Sequence, residues 1–171
     1  MKFGISVSQI HEVDLVIQAE NVGYDFCWVW DSPMIRSNLW ALLALVAHRT
    51  STISLGPGVA IPGLAMAPVT ANAIATINAI APGRTFLGVG TGNTALRAMG
   101  QVPMGIAELK AHLKVIRGLI SGEKVTYEAN GRSEEISFQS LELGYINLDD
   151  PIPIHVSGFG PHVGHGNGTS A

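Results

Sequence analysis

The chain has 171 residues, 47% of them apolar and 13% charged, with a formal net charge of −3. That length suits one domain, and that composition excludes a disordered or highly charged tail protein. Ten Lys+Arg against thirteen Asp+Glu leave no basic excess for a phosphate backbone, so nucleic acid is not an expected partner. A single cysteine, Cys27, excludes an internal disulfide and a thiolate metal cage, and no metal is expected. The longest apolar run, Leu39 to Ala47, has nine residues, against the roughly 20 that cross a bilayer. With no signal-peptide pattern after Met1, the expectation is a soluble cytoplasmic protein without membrane contact.

Five short apolar runs, 2–7, 25–30, 52–57, 85–90 and 152–157, predict β-strands. They are continuous rather than alternating, which predicts a parallel sheet covered on both faces. Between them the pattern turns helical. A helix is expected over 11–22, with Val13, Val16 and Ile17 on one face and a stop at Gly23. A second follows Ser37 as N-cap over 38–49, and a third runs over 68–81 from Pro68 to the stop at Pro82-Gly83. The clearest stripe is Ile106, Leu109, Leu113, Ile116 and Ile120, ended by Ser121-Gly122. Regular β-α alternation predicts an α/β fold built from right-handed crossovers. Residues 123–150 interrupt the rhythm as an insert, in which 125–127 and 135–138 form a hairpin around Asn130-Gly131. Residues 162–171 have little core-forming content and are expected to be a disordered tail. No charge lies between Arg49 and Arg84, whereas 101–150 holds thirteen of the twenty-three. The first stretch should be interior or site-lining, the second surface.

Four stretches could carry chemistry. Gly88-Val89-Gly90-Thr91-Gly92-Asn93 joins a strand to a helix, where glycine lets the backbone approach a ligand. A ligand-facing βα loop, a plain tight turn and a loose dinucleotide fingerprint all fit, though the last lacks its downstream acid. Trp30-Asp31-Ser32-Pro33 puts a carboxylate at a C-terminal strand end, where ligands bind in parallel α/β folds; a turn-capping Asp31 fits equally. Residues 56–63 hold three glycines and two prolines, which a core strand does not need. They suggest an unusual backbone beside a flat ligand, or a simple bulge. Ser157-Gly158-Phe159-Gly160 makes another glycine-rich exit, suited to phosphate, and His155 before it reads as a packed or a catalytic histidine.

Together, Lys2-Phe3-Gly4-Ile5, the stretch Gly23 to Asp31, Leu55-Gly56-Pro57-Gly58-Val59, Leu87 to Gly92 and Pro153 to Pro161 resemble the bacterial-luciferase-like superfamily of flavin- and deazaflavin-dependent oxidoreductases. The likeness is greatest to the branch of methylenetetrahydromethanopterin-reductase-like proteins, and it covers about residues 1–161. It implies a (β/α)8 TIM-type barrel with the ring of coenzyme F420 (a deazaflavin) or FMN at the C-terminal strand ends. It puts Asp31 and Asn93 at catalytic positions. It puts Gly58, Val59, Thr91, Gly92, Ser157, Gly158, Phe159 and Gly160 against the cofactor, with a cis peptide at Gly58-Val59. Two positions depart from the pattern: Ser32 stands where many deazaflavin enzymes have His, and Asn93 where some relatives have Glu.

A closed barrel needs about 200 residues or more, so the chain reads as roughly the first five βα units, residues 1–161, with the insert at 123–150. Unpaired edges on such an arc predict a homo-oligomer, most simply a dimer. The implied function is hydride transfer between F420 or a flavin and a small organic substrate. The alternatives are an FMN-dependent luciferase-like monooxygenase, and a non-catalytic flavin-binding relative or inactive fragment.

Overall fold

The computed structural model describes residues 1–158; the expectations for Phe159, Gly160 and the 162–171 tail lie outside the described residues. Strands β1 (Gly4–Val7), β2 (Phe26–Val29), β3 (Ser54–Pro57) and β4 (Leu87–Val89) alternate with helices α1 (Val13–Asn21), α2 (Leu39–Arg49) and α3 (Ala67–Ile80). The short α4 (Asn93–Ala98), α5 (Ile106–Ile120), the hairpin β5 (Val125–Ala129) and β6 (Arg132–Ile136), and finally β7 (Ile154–Val156) follow. All five predicted sheet strands form, each inside its apolar run. The sequence pattern does not reveal α4, which is only six residues long.

β1, β2 and β3 pair in parallel, with Gly4 beside Phe26 and Phe26 beside Ser54. β4 pairs in parallel with β7, Leu87 beside Ile154. Two isolated parallel bridges, Leu55–Thr85 and Ala60–Val89, join β3 to β4. Five residue steps on one side therefore oppose four on the other, which defines a β-bulge. The Gly58-Val59 peptide inside this bulge is cis, as the resemblance implies.

Among the described residues the sheet is fully covered on one face, not on both. Val7, Cys27, Val29, Leu55 and Leu87 are buried among Val16, Leu42, Leu43, Val46, Ile74 and Ile116 of the helices. Burial also pushes the Cys27 thiol up to about 12, so it is an inert core group. On the other face Phe26 and Trp28 are half-buried and His155 is exposed. There Trp28 lies 4.3 Å from Phe86 between ring centroids, and His155 packs edge-on to Phe86 at 5.3 Å. His155 is thus not a buried core histidine, and it does not line the strand-end cleft that a catalytic reading would need. The continuous apolar strands mislead because aromatic side chains occupy this less covered face.

Local signals shift at three places. Asn38, not Ser37, caps α2, its side chain accepting from Ala41 N–H at 3.1 Å. Ser37 instead ties to the exit of β1, donating from its N–H to Ser8 O and accepting from Ile10 N–H. The second hairpin strand is 132–136 rather than 135–138, because Ala129 pairs with Arg132 across a two-residue turn. Asn130 and Gly131 both have positive φ (53° and 72°), as a type I′ turn requires.

Opposite the strand exits, two long-range side chains fasten the loop between α2 and β3. The Glu20 carboxylate accepts from the N–H groups of Ser51, Thr52 and Ile53 at 2.6–2.9 Å. Arg84 donates to the carbonyls of Ala47, Thr50 and Ile53, covering the free carbonyl end of α2. These bonds hold β3 in register, and β3 carries the bulge.

Candidate active site

Parallel strands all end on one side, so the exits of β2, β3, β4 and β7 converge there. They enclose a cleft of about 500 Å3, within the size range of small-molecule sites. Asp31, Gly58, Val59, Thr91, Gly92, Asn93, Ser157 and Gly158 all line it, so the fold brings together every predicted site residue within the described part. A larger depression of about 620 Å3 between α5 and β5 holds none of them and no exit of the parallel strands.

Glycine sets the shape of the cleft. A Cβ on Gly58 would lie 2.8 Å from the Trp28 Cβ, and one on Gly90 would lie 2.7 Å from a Val59 methyl. Gly92 takes φ 77°, a left-handed turn that starts α4. The expectation that a core strand has no use for glycine is corrected at Gly56. A Cβ there would strike the Phe86 backbone oxygen and approach its ring to 2.5 Å. Gly56 and Gly58 thus both serve aromatic packing, against Phe86 and Trp28, while Gly58, Gly90 and Gly92 line the cleft.

Asp31 is the cleft's one carboxylate among the described residues. Its Oδ2 accepts from Ile61 N–H at 3.0 Å, just past the bulge, so the cis segment and the acid position each other. Burial lifts the carboxyl to about 6, and the Ile61 hydrogen bond opposes the rise. An acid of that strength can hold or release a proton near neutral pH. Beside it, the Trp30 indole N–H donates to Ser6 Oγ and Arg36 lies 5.7 Å over its ring, fixing one wall.

Asn93 is exposed, and its Oδ1 accepts from Arg97 Nε at 2.6 Å. An amide does not titrate, so Asn93 is no acid–base group. Sequence reasoning missed Arg97, although the i, i+4 spacing from Asn93 is a usable signal once α4 is known. It also missed Ile106. The first residue of the apolar stripe lines the cleft, 38% exposed, instead of joining the core.

Comparison with known proteins agrees with this architecture. The chain is 34% identical over 169 residues to the 5,10-methylenetetrahydromethanopterin reductase of Archaeoglobus fulgidus, covering 95% of this chain and 49% of the relative. It is 34% identical to the F420-dependent glucose-6-phosphate dehydrogenase of Kineococcus radiotolerans, covering 88% of this chain and 47% of that enzyme. It thus spans about half the length of the curated relatives it matches. Among solved structures, the coenzyme F420 dependent tetrahydromethanopterin reductase from Methanopyrus kandleri superposes with a TM-score of 0.73 at 25% identity, over 94% of this chain and 51% of that one. A type II Baeyer–Villiger monooxygenase from Pseudomonas putida in complex with FMN shares the fold, with a TM-score of 0.71 at 21% identity over 94% of this chain and 52% of that chain. Residues 7–163 match the family model for luciferase-like monooxygenases, and the chain belongs to that family.

Proposed function

We propose that this chain forms the ring-holding part of a flavin- or deazaflavin-dependent oxidoreductase. It would use F420 or FMN for hydride transfer to or from a small organic substrate. The observation that carries this reading is the strand-end cleft, with the bulge after β3 for a wall and a half-buried carboxyl beside it. In this reading the five parallel strands are an arc of a (β/α)8 barrel.

The residues present suit a flat ring. Gly58, Gly90 and Gly92 let the strand exits pack closely against Trp28, Val59 and Ile61 to form the cleft wall, and about 500 Å3 accommodates a tricycle. The ring, when bound, supplies the hydride-carrying atom. Gly58-Val59 would back the ring, Asp31 would hold the proton that balances the transfer, and Ser157 and Gly158 would face the phosphate side. Trp30 and Ile106 would exclude water from the reacting face. Two relatives of this chain carry F420 dependence in their names, which favours a deazaflavin over FMN.

A second reading, a non-catalytic cofactor holder, is favoured by Ser32 and Asn93, which leave Asp31 as the cleft's sole titratable acid among the described residues. Incubation with FMN and with F420, followed by desalting, separates the readings. The expected result is retained absorbance of one chromophore and turnover that Asp31→Asn removes. A folded protein that retains neither chromophore would refute both readings. Retention with turnover indifferent to Asp31→Asn would refute the role given to Asp31.

A further inference from the structure

We propose that Arg97 is an anion-binding residue of the cleft, with Asn93 as its positioning residue, so that the molecule seated beside α4 carries a phosphate or carboxylate. The proposal rests on the strand-end cleft being the ligand site. Arg97 is the only cation among the described residues that line it. Its charge is not spent within the fold. The one ion pair among the described residues is Arg49–Asp14, on the far side of α1 and α2.

Asn93 explains how the guanidinium is aimed without being neutralised. The two residues are one turn apart on α4, and Asn93 Oδ1 takes the Nε hydrogen at 2.6 Å. That bond uses Nε alone, leaving the two terminal nitrogens as a fork of the kind that grips phosphate or carboxylate. An aspartate at 93 would bind the same nitrogen and cancel the charge; an amide only orients it. Asp31, the cleft's other charged group, is held by Ile61 and is not the partner of Arg97. The cleft therefore presents one positive charge, exposed and tied through Nε to Asn93, and one acid, a pattern suited to a ligand with an anionic substituent. That anion could belong to the cofactor or to the second substrate.

Inorganic phosphate titrated into the cofactor-free chain tests this, read by NMR at the Arg97 Nε–H and at the Gly92 to Ala95 amides. Wild type should give a saturable shift. Arg97→Gln should weaken it at least about tenfold, as loss of a charge-assisted pair does. Asn93→Asp should weaken it similarly with the guanidinium still present, and Arg97→Lys should fall between. Equal phosphate affinity in wild type and Arg97→Gln, with unchanged far-UV spectra, would overturn the proposal and leave Arg97 a solvated surface residue. Unchanged affinity in Asn93→Asp would overturn the positioning role. FMN and riboflavin, which differ by the phosphate, then locate the anion. If Arg97→Gln weakens FMN alone, the anion is the cofactor's. If both flavins bind Arg97→Gln as before, and phosphate binds flavin-loaded wild type but not flavin-loaded Arg97→Gln, it is the substrate's. Should wild type hold neither flavin, the redox reading fails, and the phosphate titration still decides for or against Arg97.

Discussion

Asp31→Asn should make the protein more stable at neutral pH while impairing its chemistry. In the fold, burial raises the Asp31 carboxyl from 3.8 to about 6. Ionising it there costs about 3 kcal/mol, at 1.36 kcal/mol per pH unit. Solvent at the cleft rim screens part of this, leaving roughly 2 kcal/mol. Below pH 3.8 the carboxyl is protonated in folded and unfolded chains alike, so it has no effect. Between 3.8 and about 6 the unfolded chain releases the proton while the fold keeps it, and stability falls as pH rises. Above about 6 the full penalty stands. Asparagine keeps an acceptor for Ile61 N–H and never ionises. Urea unfolding from pH 4 to 8 should therefore show Asp31→Asn close to wild type at the acid end. The variant should be about 2 kcal/mol more stable above pH 6.5, or roughly 4–8 °C in Tm for a chain of this size. A stability difference that stays constant across this range would refute the burial argument, as would a variant less stable than wild type at pH 7.5. The gain fits the general pattern that functional groups sit at a cost to stability.

Three further outcomes follow from the same structure. Gly56→Ala should destabilise by about 1–3 kcal/mol or more, because its Cβ would press on the Phe86 backbone and ring; an unchanged urea midpoint would show that β3 and β4 can part freely. Glu20→Gln should cost about 1–3 kcal/mol at pH 7, since it weakens the acceptor of three backbone N–H groups. Burial works to raise the Glu20 carboxyl, but these bonds outweigh it and hold the group below 4.5, so the loss should vanish as pH falls through that region. We also propose that the chain self-associates: the outer edges of β1 and β7 are unpaired among the described residues, and Val156 and Trp30 are 48% and 42% exposed. Light scattering of dilute folded protein should give a dimer or larger, and a monomer with a cooperative melt would contradict this.

Local chemistry was legible in the sequence. The five strand positions follow from short apolar runs bounded by Gly, Pro and Asp, and the β5–β6 turn from Asn130-Gly131, because these signals act within a few residues. The convergence of Asp31, Gly58, Gly92 and Ser157 was legible too, since parallel strands must end together. Tertiary contacts decided the rest. Which strand face is covered depends on Trp28, Phe86 and His155 meeting from β2, the start of β4 and β7, and no periodicity encodes that. Gly56 and Gly58 look alike in the sequence, yet one accommodates Phe86 and the other lines the cleft. Asp31 becomes an acid poised near pH 6 only when the fold removes water from around it, an effect that outweighs the N–H it meets at Ile61, thirty residues away. Arg97 becomes a candidate anion contact only once α4 places Asn93 one turn before it. Propensity and turn preference are properties of short segments, whereas desolvation and the pairing of charges are properties of atoms that only the folded chain brings together.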